Sequence, residues 1–188
     1  MSSNSPHSSP PGGVSFQAEL PIEWEPLVTA PGLDELAGVD ARNRELLSAL
    51  LLCDEAASEV EEEAQGEHWH RLDAKLDLVL SLLGELLLQQ RGMPPARRLR
   101  LAGEWLAIEA CPGEELPAIG ERLRLRLYLS PRIPRPLDLL ARVSEKDETG
   151  LVRLQFDAIA DATRDLLERH VFRQHRRAVA LARSVSPD

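Results

Sequence analysis

The sequence predicts an α+β protein with long N-terminal helices, a small antiparallel β-barrel or sandwich and a C-terminal helix. Three observations support this prediction. Between residues 36 and 91, apolar residues recur at alternating steps of three and four, the spacing of a heptad-repeat helix. Between residues 92 and 160, they alternate with polar residues, as in half-buried strands. Residues 161–183 return to a helical pattern.

The composition indicates an aliphatic core and an uneven distribution of charge. Hydrophobic residues make up 43% of the 188 residues, but aromatic residues only 4%. The net charge is −9, with 17 acidic and 5 basic residues in residues 1–91 and 14 acidic and 17 basic residues in residues 92–188. Neither half has the strong basic excess of a nucleic-acid binder, so no nucleic-acid partner is expected.

Three features predict a cytoplasmic location. No stretch approaches the roughly 18–20 apolar residues that span a bilayer, so no membrane span is expected. Residues 1–13 are rich in Ser and Pro and lack the apolar segment of a signal peptide. The two cysteines, Cys53 and Cys111, form no paired motif, which is typical of a reducing compartment.

The segment before the helices is predicted to have little regular structure. Residues 1–19 are interpreted as a disordered tail, because Ser and Pro dominate their beginning. Residues 20–35 are interpreted as an extended entry segment, since Pro21 and Pro26 disfavour a helix. Pro31 and the glycine that follows it then mark the turn into the first helix.

Residues 36–91 are interpreted as a heptad-repeat oligomerisation region. The acidic run at residues 61–63 and Gly66 divide it into two helical patterns. In the second pattern apolar side chains also occupy e and g positions, which favours a bundle of more than two helices. The residues predicted to form the oligomer interface are Leu46, Leu50, Cys53, Trp69, Leu72, Leu76, Val79, Leu80, Leu83, Leu86 and Leu87.

Two alternatives remain open for these helices. Their apolar stripes could instead bury only each other, in a helical hairpin within one chain. Asn43 falls at a seam position of the first pattern, where it either fixes the register of a coiled coil or is simply a surface residue. The apolar pattern leaves the number and the orientation of the chains undefined.

Residues 92–160 are interpreted as the barrel. A Gly-Met-Pro-Pro sequence at its start ends the helical pattern, and about five period-two segments follow. In one segment three arginines alternate with leucines, which predicts a solvated outer strand face. These residues are Arg122, Arg124 and Arg126.

Residues 161–183 are interpreted as a helix packed on the barrel. Its arginines near the C-terminus are expected to offset the negative end of the helix dipole. Asp165 and Glu168 are the acidic partners predicted for the arginines of this helix, at positions 169, 173 and 177.

Three segments together resemble the atypical, tetramer-forming branch of the PilZ family. They are the heptad segment 72–83, the strand end Tyr128-Leu129-Ser130-Pro131 and the helix segment Phe172-Arg173-Gln174-His175-Arg176-Arg177. The resemblance extends over nearly the whole chain after the tail. It implies a six-stranded PilZ-like β-barrel, a bacterial cytoplasmic protein, a role in cyclic di-GMP signalling and a homo-oligomer that is a tetramer.

The ligand motifs of the family are missing from this sequence. Typical PilZ domains bind cyclic di-GMP with an Arg-x-x-x-Arg segment at the domain entrance and an Asp/Asn-x-Ser-x-x-Gly segment on the barrel. Here the entrance reads Arg-Gly-Met-Pro-Pro-Ala-Arg-Arg over residues 91–98, and the barrel segment reads Leu-Ala-Gly-Glu-Trp-Leu over residues 101–106. If a nucleotide binds, the candidate ligands are Arg91, Arg97 and Arg98, whose guanidinium groups suit phosphates.

Other chemistry finds little support in the sequence. Glu63, Glu67 and His70 have the spacing of half a carboxylate-bridged metal site, but the second half is missing, so no metal is expected. Cys53 lies on the predicted buried stripe, where a thiol is generally unreactive, and Cys111 has no nearby His. The sequence therefore predicts no enzyme and no cofactor, with cyclic di-GMP left open.

The hypothesis that follows is a regulatory adaptor of cyclic di-GMP signalling. It would be oligomerised by its helices, would lack the standard nucleotide motifs and would act through contacts with an unidentified protein partner. One alternative is a direct cyclic di-GMP receptor that uses relocated arginines. The other is a purely structural coiled-coil scaffold, in which the barrel only terminates the helical bundle.

Overall fold

The computed structural model describes residues 13–59, 75–76, 78–79, 82, 92–109, 117–131, 133–147 and 150–185. In chain order the strands are β1 (Ser15–Pro26), β2 (Ala96–Ala102), β3 (Trp105–Glu109), β4 (Arg122–Leu127), β5 (Leu137–Lys146) and β6 (Leu151–Asp157). Helix α1 (Leu33–Glu59) lies between β1 and β2, and helix α2 (Asp161–Val185) follows β6. Within these ranges no helix has the length and apolar character needed to cross a membrane.

The six strands form a closed antiparallel barrel with the order β1-β2-β3-β6-β5-β4. Alternating leucines point inward and form an aliphatic core, as the period-two pattern predicts. Strand β1 closes the barrel because its first half pairs with β2 and its second half pairs with β4. The predicted α+β class and the six-stranded barrel are confirmed.

Strand β1 lies in a segment for which the sequence predicted no strand. Its residues 15–26 were expected to be the end of a tail and the start of an entry segment, yet they form a barrel strand. Pro21 lies where β1 changes its partner from β2 to β4, and Pro26 is the last residue of the strand. A missing N–H costs little at such positions, so the prolines are compatible with the strand.

Helix α1 packs on the barrel rather than standing apart from it. Leu46, Leu47 and Leu50 are buried in the same core cluster as the barrel leucines. The prediction that Leu46 and Leu50 line an oligomer seam is therefore corrected, since both are covered within one chain. Cys53 is exposed in the single chain, so its place in an oligomer interface stays a prediction. The three-and-four spacing is shared by coiled coils and by amphipathic helices that pack on a sheet, so it did not distinguish them.

Asn43 fastens α1 to the start of β5. Its side-chain amide donates to the backbone carbonyl of Asp138 at 2.6 Å, and its amide oxygen accepts from the backbone N–H of Asp138 at 3.0 Å. The side chain is buried, so both halves of the amide have partners where water does not reach. Asn43 is thus neither a coiled-coil register residue nor a surface residue, but an intrachain anchor.

Helix α2 runs parallel to α1 and is bonded to it at both ends of their contact. The hydroxyl of Thr163 donates to the carboxylate of Asp40. Fourteen residues further along each chain segment, Arg177 donates to the carboxylate of Asp54 at 2.7 Å. Between these points Arg173 donates to the carbonyl of Leu51 at 2.8 Å. Arg173 and Arg177 thus bond to α1, a contact that the sequence did not predict.

His170 lies buried between α2, α1 and β1. Its ring is edge-on to Phe16 at a centroid distance of 6.2 Å, and its Nδ1 has no hydrogen-bond partner among the described residues. Burial lowers the pKa of His170 below its ordinary value; Asp54 opposes this shift, whereas Arg177 and Arg173 reinforce it.

Acidification is expected to destabilise the fold through His170. Because the pKa of His170 is lower in the folded state, the unfolded chain takes up the proton more readily. The contribution of neutral His170 to the free energy of unfolding is therefore complete above the ordinary pKa of about 6.5, and it is lost as the pH falls toward the lower folded value. Urea midpoints measured across this range should fall with pH. The fall should be smaller in His170→Gln, and an equal fall in that variant would contradict the assignment.

Candidate functional site

Arg97 and Arg98 are adjacent on β2 and therefore point to opposite faces of the barrel wall. Arg97 shares the inward direction of Leu99, and its guanidinium lies 4.6 Å from the ring centroid of Trp24. Arg98 points outward, 3.9 Å from the carboxylate of Glu109, with both side chains mostly exposed. The third candidate, Arg91, lies outside the described residues.

The two described arginines cannot form a common phosphate clamp from this strand. A clamp requires guanidinium groups that converge on one anion, whereas Arg97 and Arg98 diverge across the barrel wall. Stacking on Trp24 at 4.6 Å is a cation–π contact, which stabilises by about 0.5–2 kcal/mol depending on exposure. Binding a phosphate through Arg97 would have to compete with that contact.

The arginines of β4 are engaged in ion pairs on the outer face of the barrel. Arg126 lies 3.4 Å from the carboxylate of Glu23 and 3.6 Å from that of Asp138. Burial alone would lower the pKa of Arg126, but Glu25, Glu23 and Asp138 together raise it above the ordinary value. Arg124 bridges Asp138 to Glu35 of α1. The predicted solvated face is therefore a charge network that helps to hold α1 on the barrel.

The β2–β3 turn occupies the place where the second PilZ motif was sought. Gly103 lies so close to α2 that a Cβ on it would clash with the Cγ of Glu168. After the turn, Trp105 lies on the outer face of the wall, with the guanidinium of Arg153 5.0 Å from its ring centroid. The turn therefore presents a carboxylate, Glu104, and contributes no hydroxyl or amide side chain for reading a base.

The described part of the second helical pattern exposes apolar side chains. Four helical residues there are 50–59% exposed in the single chain: Leu76, Leu78, Val79 and Leu82. Such a concentration of exposed aliphatic residues is typical of a surface that another chain covers. The remaining predicted interface residues of this pattern lie outside the described residues, namely Trp69, Leu72, Leu80, Leu83, Leu86 and Leu87.

Within the described ranges, no group of three or more His, Cys, Asp or Glu side chains is arranged to hold a metal ion. The sequence candidates for a metal site, Glu63, Glu67 and His70, lie outside those ranges, as does Cys111. Cys53 is exposed near the end of α1.

The geometry defines a class of protein: a six-stranded barrel with a helical insertion after its first strand and a helix packed across it. The sequence profile described as "Atypical PilZ domain, cyclic di-GMP receptor" matches residues 47–184. The chain therefore belongs to the atypical PilZ domain family, whose members are regulatory domains of cyclic di-GMP signalling. A search of curated proteins finds no match.

Two solved structures are similar to this chain. One is a pathogenic protein of Xanthomonas campestris, described as a tetrameric PilZ domain self-assembled via an unusual helical bundle. It has 29% sequence identity and a TM-score of 0.70, and the alignment covers 89% of this chain and 91% of that protein. The other is the Bacillus subtilis inhibitor of motility, MotI/DgrA, with 19% identity, a TM-score of 0.36 and coverage of 44% and 42%.

Proposed function

We propose that this chain is an oligomeric adaptor of cyclic di-GMP signalling that acts in the cytoplasm through protein contacts rather than through a standard nucleotide clamp. The main observation behind the proposal is that the two described candidate arginines already make contacts within the chain. Arg97 stacks on Trp24, and Arg98 points away from it across the barrel wall toward Glu109. The two described arginines therefore form no converging pair at the position where the family resemblance places its clamp.

Four of the other arginines spaced four residues apart also make contacts within the chain. Arg122 of β4 pairs with Asp157 of β6, and Arg126 pairs with Glu23 of β1. Arg173 and Arg177 of α2 hold the end of α1. Releasing any of these groups to bind a phosphate would break intrachain contacts, which weighs against relocated arginines as a nucleotide site.

Oligomerisation is supported by two independent observations. The described aliphatic side chains of this pattern, Leu76, Leu78, Val79 and Leu82, are exposed in the single chain. The Xanthomonas campestris protein, similar over most of its length, is described as a tetramer assembled via a helical bundle. We propose that the second helical pattern forms the corresponding interface here, with the barrels carried at the outside for contact with a protein partner.

Isothermal titration of the full chain with cyclic di-GMP tests the nucleotide part of the proposal. We expect no saturable heat at micromolar concentrations of nucleotide, because the described arginines of the domain entrance, Arg97 and Arg98, diverge instead of converging on a phosphate. A titration that saturates in the micromolar range would contradict the proposal. If that binding is lost in Arg97→Glu and kept in Arg98→Glu, the alternative of a direct receptor centred on the Arg97–Trp24 pair is supported instead.

A further inference from the structure

A groove of about 720 Å³ lies between the β2–β3 turn, the residues that lead into β1 and the first half of α2. It is separate from the Arg97–Trp24 pair, which belongs to the opposite end of β2. Its volume falls in the range of sites that bury a small molecule or a few side chains of a peptide. Both apolar and acidic side chains line it, among them Val14, Trp105, Asp165, Glu168 and Phe172.

The apolar part of the groove is unusually open to solvent. Phe172 is 48% exposed and Val14 is 45% exposed, although the neighbouring helix residues Leu167 and Val171 are fully buried. The guanidinium of Arg176 lies 5.9 Å from the centroid of the Phe172 ring, at the outer limit of a cation–π contact, and leaves much of the ring uncovered. Exposed aromatic side chains in a concave site are typical anchors for a partner's apolar side chain.

The charge of the groove is unfavourable for an anion. Three of its lining residues are carboxylates, Glu104, Asp165 and Glu168, and one is a cation, Arg169. Two further cations lie beside lining residues: Arg176 beside Phe172 and Arg164 beside Glu104. Glu104 is drawn toward Arg164 at 3.9 Å, which leaves Asp165 and Glu168 as the main negative groups. A phosphate placed here would face these carboxylates at short range, whereas a Lys or Arg side chain would be attracted.

The packing of the turn holds Glu168 beside the groove. The space over Gly103 that a Cβ would fill is taken up by the Glu168 side chain, with its Oε1 at 2.9 Å from that position. The Glu168 side chain therefore lies against the turn at the edge of the groove. A carboxylate and an exposed aromatic ring in one groove are a suitable arrangement for a basic side chain followed by an apolar one.

We propose that this groove binds a short cationic, amphipathic segment of a protein partner. An apolar side chain of the segment packs against Phe172 and Val14, and its Lys or Arg side chains lie opposite Asp165 and Glu168. The inference deepens the proposed function, since it assigns a surface and a partner chemistry to the adaptor. It differs from nucleotide binding because the groove selects cations.

Fluorescence anisotropy with the full chain tests the groove. The probes are two labelled octapeptides with the same leucines and one tryptophan, one carrying four lysines and the other four glutamates. We expect saturable binding of the lysine peptide and affinity at least about tenfold weaker for the glutamate peptide. Phe172→Ser and Glu168→Lys should each weaken binding of the lysine peptide by about tenfold or more.

Matched controls separate the groove from the general acidity of the chain. Leu181→Ser removes another exposed apolar residue from α2, and Asp161→Lys reverses an exposed charge in its first turn; neither residue lines the groove. Both controls should bind the lysine peptide like the unmodified chain, and circular dichroism should show that all variants are folded. Equal affinity for the two peptides, or unchanged affinity in both Phe172→Ser and Glu168→Lys, would overturn the proposal.

Addition of cyclic di-GMP distinguishes a failure of the groove from a failure of the proposed function. We expect no displacement of the lysine peptide, and displacement at micromolar concentrations would show that the groove accepts an anion. If calorimetry shows no nucleotide binding and the peptide also fails to bind, the proposed adaptor function is retained and the groove assignment is wrong. If calorimetry shows nucleotide binding while peptide binding still depends on Phe172, the groove assignment is retained and the proposal of an adaptor without a nucleotide site is wrong.

Discussion

Leu47→Ala is expected to lower the free energy of unfolding by about 2–5 kcal/mol, the range for removing a buried leucine side chain from a core. Leu47 is 0% exposed and lies in the same cluster as the barrel leucines, although it belongs to α1. The loss combines the transfer free energy of the missing methine and two methyl groups with the cost of the cavity that they leave. An effect of this size would show that α1 is part of the barrel core.

Leu52→Ala is the matched control for that prediction. Leu52 is on the same helix but 65% exposed, so its truncation should change the free energy of unfolding by no more than about 0.5 kcal/mol. Both variants are compared with the unmodified chain by urea denaturation at one protomer concentration, because the stability of an oligomer depends on concentration. Equal losses for the two leucines would contradict the packing of α1 on the barrel.

Val79→Glu is expected to break the oligomer into smaller species. Val79 is 51% exposed in the single chain and lies in the described part of the second helical pattern. Covered by other chains, a glutamate there would lose its hydration, and the copies of its charge in a bundle would repel one another. Size exclusion coupled to light scattering should show a fall from the native mass toward the 20.9 kDa of one chain.

Val28→Glu makes the same chemical change outside the proposed interface. Val28 is 95% exposed in the loop between β1 and α1, so a charge there should leave the mass of the oligomer unchanged. The pair of variants therefore separates a specific interface from a general effect of added charge. An intact oligomer in Val79→Glu, with native circular dichroism, would contradict the assignment of this helical pattern to the interface.

Most of the barrel could be predicted because inward-facing leucines alternate with polar residues along its strands. In β4 the leucines at 123, 125 and 127 are all buried, as period two requires. Strand β1 was not predicted, because prolines interrupt its pattern and because its pairing partners are distant in sequence. Its pairing with both β2 and β4 is a tertiary property that no local pattern reports.

The first helix was predicted, but the surface that covers its apolar face was not. The spacing of Leu46 and Leu50 correctly predicts a helix with an apolar face, but a heptad pattern does not reveal what covers that face. Asn43 was a signal in the sequence, because a polar residue in an apolar stripe requires a partner. The identity of that partner, the backbone of Asp138, depends on a contact between residues 95 positions apart.

The candidate ligand site was only partly predictable for a similar reason. The absence of the two family motifs is visible in the sequence, and strand alternation alone indicates that Arg97 and Arg98 diverge. Nothing local predicts that Arg97 stacks on Trp24, or that α2 holds Glu168 over the β2–β3 turn. These juxtapositions require the barrel to close and the helix to pack across it.

The most direct test of an adaptor that works as an oligomer without a nucleotide is the mass of the unmodified chain, measured by light scattering with and without cyclic di-GMP. We predict a mass several times the 20.9 kDa of one chain, with a tetramer as the expected state and no change on adding nucleotide. A mass of one chain at micromolar concentration would contradict assembly through the second helical pattern, and a nucleotide-dependent mass would contradict the absence of a nucleotide site.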